Sequence, residues 1–460
     1  MLNILLNETL KLYTISFLWI SKFLAKIMVL HKGIFVLLIF LFLDANSQEK
    51  SFNLKQSIDK VLRNHKTILA TKTDIEAAKF RIKQSKGGYF PSLDVTANYG
   101  HENIIKYGPG NNTQLAARDA TAKITQTLSD FGLTKSTVKT SKLSLKQTRA
   151  LERQIKNDIL LRALTAYLRV IQSRESVKFA KQSVENIKKQ TELEDAAVSA
   201  GGGLTSDVLQ AKTQLAGAQA RQIQFEGVLD AAKHEFVYVF ETFPRNLGSL
   251  KLLKSVINKL PKTLDEAEKI VLKNNPSLIA ARVSTEISKE AINTARASLF
   301  PKIKGIISHS EKQDFGGIVG FKRESSAKID FSYPLNLSFS EYAGKDAAVQ
   351  SYLSNQTRIK DQEDMITQML RTTWDGLSTA QKNAEFLSNQ ARISGEFLEL
   401  ARTERQAGNR TLLDVLNGET AFINSQSDAI AAKIEVLINS FTLLSLMGGL
   451  TLDNIELVQN

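Results

Sequence analysis

The stretch Ala407-Gly408-Asn409-Arg410-Thr411-Leu412-Leu413-Asp414-Val415-Leu416-Asn417-Gly418-Glu419-Thr420 breaks a helical pattern that otherwise runs from about Glu341 to Met447. Gly408 and Asn409 adopt left-handed backbone at little steric cost, so they read as a helix C-cap and turn. Thr411 is placed to N-cap the helix that follows. The chain therefore doubles back here as a tight helical hairpin. The stretch has a twin in Ala200-Gly201-Gly202-Gly203-Leu204-Thr205-Ser206-Asp207-Val208-Leu209-Gln210-Ala211-Lys212-Thr213. Ala200, Gly201, Asp207, Val208, Leu209 and Thr213 recur at a constant offset of 207 as Ala407, Gly408, Asp414, Val415, Leu416 and Thr420. Two copies of a turn followed by the same Asp-Val-Leu indicate an internal duplication.

The duplication extends upstream. Leu54, Val61, Leu62, Asn64, Ala70, Glu76, Lys79, Ile82, Phe90 and Pro91 recur at an offset of 210 as Leu264, Val271, Leu272, Asn274, Ala280, Glu286, Lys289, Ile292, Phe300 and Pro301. Leu54 to Tyr89 carries helical spacing, and Pro91 disfavours helix at the residue before it, so Phe90-Pro91 predicts the helix end. Pro301 does the same in the second copy.

After each Phe-Pro the period changes to two. Leu93, Val95, Ala97 and Tyr99 alternate with Ser92, Asp94, Thr96 and Asn98, which predicts a strand with one apolar face. A polar loop is expected over 100–119, then a second strand carrying Ala122, Ile124 and Leu128. In the second copy Ile303, Gly305 and Ile307 give a weaker strand. A loop is expected over about 309–325, and Ala327, Ile329, Phe331, Tyr333 and Leu335 mark the clearest strand. Each strand pair leads into a helix far beyond the usual ten to fourteen residues. Thr134–Ala200 would reach about 100 Å at 1.5 Å per residue, and Glu341–Ala407 matches it. The return helices are expected over Leu204–Phe243 and Thr411–Met447.

The expected organisation is a leader over 1–47, a first repeat over 48–243, a linker or small belt over 244–263, a second repeat over 264–447 and a tail over 448–460. In the leader, Ile34–Leu43 is an apolar run of ten residues, too short to span a bilayer as a helix. His31 and Lys32 precede it, and Ala45-Asn46-Ser47 has the small-x-small form of a cleavage site. This predicts a signal peptide starting at Met28 and cleaved before Gln48, with 1–27 as an upstream extension. A membrane anchor built from 12–43 is the competing reading.

The chain carries a formal charge of +13 and no Cys. Removing 1–47 takes away Lys11, Lys22, Lys26 and Lys32 with Glu8 and Asp44, and lowers the charge to +11. The basic residues are interleaved with acids along helices and no groove-reading motif accompanies them, which argues against nucleic acid. His31, His65, His101, His234 and His309 form no ligand cluster, no phosphate loop ends in Lys-Ser/Thr, and no nucleophile elbow is present. No enzyme activity, metal or cofactor is expected.

Four amphipathic strands do not close on themselves. If their apolar faces meet lipid, unpaired edges are forbidden, because each lost backbone hydrogen bond in hydrocarbon costs several kcal/mol. Three copies would supply twelve strands, an even number within the range of outer-membrane barrels. Long hairpins of heptad-like spacing suit a coiled-coil cylinder, with a solid coiled-coil rod as the alternative.

With the duplication, the Phe-Pro transitions and the Gly-to-Asp-Val-Leu turns in place, residues 51–447 resemble the TolC family of outer-membrane efflux and secretion channels. The resemblance implies an α+β membrane protein: an obligate trimer with a 12-stranded outer-membrane β-barrel continuous with a coiled-coil α-barrel that crosses the periplasm. It implies a passive exit duct for efflux or type I secretion. The implied partners are a periplasmic adaptor (membrane fusion protein), an inner-membrane ABC or RND-type transporter, and outer-membrane lipid. By the same resemblance Arg410 is the gate arginine, Asp207 the acid it binds, and Arg405 stands where the family has its gate tyrosine. Asp414 holds the first position of an entrance aspartate ring, and Asn417 replaces the second. A periplasmic coiled-coil adaptor or stalk that does not conduct is the competing reading.

Overall fold

In a computed structural model the described residues are 52–457, apart from 109, 111, 245, 334 and 335. The expected signal peptide and start site lie outside them. Helices α1 (Leu54–Asn64) and α2 (Lys66–Lys86) lead to strands β1 (Ser92–Ile104) and β2 (Thr113–Ser129). Then come α3 (Leu133–Ser199) and α4 (Thr205–Phe240). The second half gives α5 (Leu264–Asn274), α6 (Pro276–Ala297), β3 (Lys302–Gln313), β4 (Phe321–Ser332), α7 (Ser340–Gln406) and α8 (Leu412–Leu446). The two long helices α3 and α7 are each 67 residues.

The single helix expected over Leu54–Tyr89 is two. His65 leaves the helical region (φ −57°, ψ 130°) and its ring accepts the Thr67 N–H. In the second half Asn275 does the same, accepting from Ser277 N at 2.9 Å and Leu278 N at 3.2 Å, with Pro276 at the first helical position. Proline suits that position because its missing N–H would have had no helical partner. The Asn275 side chain also donates to the Leu446 carbonyl at 2.9 Å, so the break is tied to the end of α8. Helix α2 stops at Lys86, and one 3-10 turn (Gly87–Tyr89) precedes the extended Phe90.

All four strands form one antiparallel sheet in the order β1-β2-β3-β4. The halves join through β2 and β3, where Ile124 faces Ile307 and Ala122 faces His309. The strands are longer, and the loops correspondingly shorter, than expected: 105–112 and 314–320 replace 100–119 and 309–325. Backbone pairing continues past the end of the side-chain alternation, with Asn103 still opposite Gln114 and Lys312 opposite Lys322. Strand β4 stops at Ser332, and Pro334 and Leu335 lie outside the described residues. The apolar face carries Leu93, Val95, Ile307, Ile329 and Phe331, all well exposed in one chain.

Helix α3 is the spine. It packs on α4, α6, α2 and α8, while α7 packs on α8, α6 and α5. Its middle is the core of the chain, where Leu164, Tyr167, Leu168 and Val170 are inaccessible or nearly so. The 244–263 segment, with 3-10 turns at Leu247–Ser249 and Ile257–Lys259, lies against this region. The Tyr167 hydroxyl donates to the Lys251 carbonyl at 2.7 Å, and Arg174 donates to the Leu247 and Leu250 carbonyls. Burial pushes the Tyr167 phenol up to about 12. The tail returns to the same segment through a Leu253–Leu457 bridge, with Lys254 N donating to the Glu456 carbonyl at 2.8 Å.

Candidate functional site

The two hairpin turns share one backbone solution. Gly408 (φ 82°) donates to the Arg405 carbonyl and Asn409 to the Glu404 carbonyl, at 3.0 and 2.9 Å. Gly201 (φ 80°) and Gly202 repeat the pattern onto Val198 and Ala197. These paired bonds satisfy the last carbonyls of each long helix, and the left-handed residue is glycine because a Cβ is disfavoured there. The restarts differ. The Thr411 hydroxyl oxygen accepts from Asp414 N, whereas Leu204, the equivalent N-cap in the first turn, has no side-chain cap.

The duplicated Asp-Val-Leu takes two environments. Val208 and Val415 are both buried. Leu416 is 1% exposed and packs with Leu412 against Ile187 and Ala211 of the first hairpin. Its duplicate Leu209 is 62% exposed. Burying a leucine from water is worth about 1.5–3 kcal/mol, so Leu416 is a principal tie between the hairpins.

Charged contacts concentrate beside these turns. Arg405 reaches from α7 to Glu194 on α3 (2.5 Å), and its other guanidinium nitrogen donates to the Arg410 carbonyl at 3.3 Å. Glu194 is largely buried. Arg410 binds Glu404 at 2.6 Å and lies over the Phe397 ring, with its guanidinium carbon 5.2 Å from the centroid. The expected Arg410–Asp207 pair is not formed within one chain. The Glu404 carboxylate sits in the last turn of α7, two residues from its end, and reaches Arg410 first. Asp207 is half-buried, accepts the Ser206 hydroxyl at 3.4 Å and makes no ion pair among the described residues. Asp414 accepts the Thr411 hydroxyl at 2.8 Å, and Asn417 is exposed. Pro91 and Pro301 sit between helix and sheet, next to the first residues of β1 and β3.

Sequence reasoning missed Glu194, Glu404, Arg402 and Glu419. Glu419 on α8 is 3% exposed and accepts from Asn186 on α3 (2.8 Å) and from Arg402 on α7. A signal for this pair was present. At the offset of 207, Arg402 and Glu419 fall on Asp195 and Lys212, which pair at 3.1 Å with the charges exchanged.

The sequence profile of the outer membrane efflux protein family matches residues 57–235 and 269–449, one segment in each half. The chain belongs to that family. It is similar to the outer membrane efflux protein BepC of Brucella suis biovar 1, at 23% identity over 88% of each chain. It is similar to the outer membrane protein TolC of Escherichia coli K12, at 20% identity over 90% of this chain and 86% of the relative. Its fold matches the Campylobacter jejuni CmeC outer membrane channel with a TM-score of 0.76, at 12% identity over 86% of this chain and 85% of that one. As a member of the outer membrane efflux protein family the chain is a TolC-type channel protein of the outer membrane with a periplasmic helical part. It is an exit duct for efflux or secretion, not an enzyme. The non-conducting adaptor or stalk is set aside by this membership.

Proposed function

We propose that three copies of this chain close a twelve-stranded barrel in outer-membrane lipid, and that their helical hairpins join into one conduit fed by a periplasmic adaptor and an inner-membrane ABC or RND-type transporter. The observation that carries the reading is the sheet. Among the described residues it has two unpaired edges, β1 and β4, and one apolar face that is exposed in the single chain. Edges of this kind are tolerated in hydrocarbon only when copies join them. The exposed Leu209 supports the same ring, because its duplicate Leu416 is seated on a neighbouring hairpin.

The tips act as the gate. Arg405–Glu194 holds the second hairpin to the first within a chain, and Arg410–Glu404 stiffens the turn. Asp207, without an ion pair among the described residues, is available to a cation on an adjoining copy, with Arg410 as the candidate after rotation away from Glu404. Asp414, with Asn417 one helical turn on, lines the entrance. In planar bilayers Glu194→Gln and Arg405→Ala raise single-channel conductance, and Asp207→Ala and Arg410→Ala do so through contacts between copies. Wild-type conductance in all four variants would remove the gate reading. A detergent-extracted protein with the mass of a single chain would remove the barrel.

A further inference from the structure

A second site lies at the opposite end of the helices, where strands become helices. A cavity of about 480 Å³ opens between the start of α3 and the end of α6. Its apolar wall is Phe131 stacked on Phe300, ring centroids 5.3 Å apart. Phe131 follows β2 by two residues and Phe300 precedes β3 by two, so the wall stands at the end of the sheet. The apolar face reaches the end of the sheet beside it, because the exposed Leu128, three residues before Phe131, lies over Gly305 on the same side as Ile303 and Ile307.

The other wall is basic: Lys135, Lys139 and Arg296. Two carboxylates are near, and both are engaged. Glu290 binds Lys139 at 2.6 Å and accepts the Ser136 hydroxyl at 3.0 Å. Asp130 caps α3, accepting from Gly132 N, Thr134 N and the Thr134 hydroxyl. Lys135 and Arg296 are exposed and have no acidic partner among the described residues. An aromatic wall at the end of the sheet's apolar face, beside two cations without an acidic partner, has the polarity of an anionic lipid: acyl chain on one side, phosphate on the other.

We propose that this cavity binds the phosphate headgroup of an anionic phospholipid in the periplasmic leaflet, with Lys135 and Arg296 on the phosphate and Phe131 and Phe300 against the first part of the acyl chains. The proposal rests on the reading of the sheet as a lipid-facing barrel wall. Clamped at this level, the lipid fixes the height of the strand-to-helix transition in the bilayer.

The test is native mass spectrometry of delipidated, assembled full-length protein given phosphatidylglycerol or phosphatidylcholine. Wild type retains phosphatidylglycerol in preference by roughly thirtyfold, the order expected for two cations beside a headgroup. Lys135→Gln with Arg296→Gln brings retention down to the phosphatidylcholine level while bilayer insertion persists. Acetylation footprinting reads the same site without mutation: Lys135 is protected in phosphatidylglycerol micelles and reactive in phosphatidylcholine. Unchanged preference in the double variant, or equal Lys135 reactivity in both lipids, overturns the proposal. Displacement of phosphatidylglycerol by acyl-free glycerol 1-phosphate at equal concentration also overturns it, in favour of a soluble phosphate. Failure of the wild-type protein to insert into vesicles overturns the barrel reading and the headgroup site with it, whereas insertion without headgroup preference overturns the site alone.

Discussion

Glu419 is a carboxylate taken almost completely out of water, which is costly unless its charge is paired and its oxygens are hydrogen-bonded. Arg402 and Asn186 do both, and they come from α7 and α3, so one buried charge on α8 ties three helices. Arg402→Ala leaves that charge unpaired and is expected to destabilise the chain by about 3–5 kcal/mol, read as a lowered unfolding midpoint in detergent. Arg402→Leu with Glu419→Leu recovers part of the loss, since an apolar pair replaces the buried ions and only the half-buried Asn186 amide loses its acceptor. The duplicate pair Asp195–Lys212 provides the control. Both of its side chains are more than half exposed, so Lys212→Ala is expected to cost about 0–1 kcal/mol. A similar cost at both sites would show that Glu419 is solvated in the assembled protein.

Among the elements, the start of α3 shows how a strand is made to become a helix. Phe131 sits in the left-handed region (φ 51°), as does Phe339 ahead of α7 (φ 53°), an unfavourable conformation for a side chain of this size. Asp130 offsets the strain by accepting the N–H groups of Gly132, just ahead of α3, and of Thr134, its second residue. Burial pushes its carboxyl up, but the Thr134 hydroxyl and the Thr134 and Gly132 N–H groups outweigh that and hold it below its ordinary 3.8. Glu290 behaves alike, with burial outweighed by Lys139 and Ser136, and lies below its ordinary 4.5. A carboxylate whose folded pKa is depressed contributes stability that is present above the unfolded value and lost as pH falls through the folded one. Amide exchange at Gly132 and Thr134, relative to the intrinsic rate, is therefore flat above pH 4.5 and rises as pH falls below 3.8. Asp130→Asn gives elevated exchange at every pH, and a pH-independent ratio in the wild-type protein would contradict the capping role. The long hairpins were legible in the sequence because their signals are local: helical spacing, Gly408 and Gly201 at the turns, Thr411 as cap. The break at His65 was not, because the first half has no proline there, although Asn275-Pro276 announced it in the second. The far ends of the strands were missed because alternation records which face meets an apolar surroundings, while the backbone ladder continues beyond it. Glu194 and Arg405 stand 211 residues apart, and no periodicity links them.

For the whole molecule, the proposed entrance ring would let the charge at the tips set what the duct admits. Asp414 is fixed to its own turn by Thr411, and Asn417 leaves the next position along α8 uncharged. In a ring of three, one carboxylate per copy would surround the entrance, with the copies' fields adding where the opening is narrow. A trivalent cation such as hexamminecobalt, added on the periplasmic side, is then expected to block conductance. Asp414→Asn weakens that block by roughly tenfold or more, and Asn417→Asp strengthens it, because a focused field of one sign changes local counter-ion concentration by such factors. The same block from the opposite side is weaker in every variant, because the ion meets Asp414 only after traversing the duct. The net charge of residues 48–460 is basic, +11, so overall charge does not account for a cation block and the Asp414 ring is the feature tested. Equal block in wild type and Asp414→Asn would place the entrance away from the Asp-Val-Leu turns, and the narrowest point would then have to be sought beside Arg402 and Arg405.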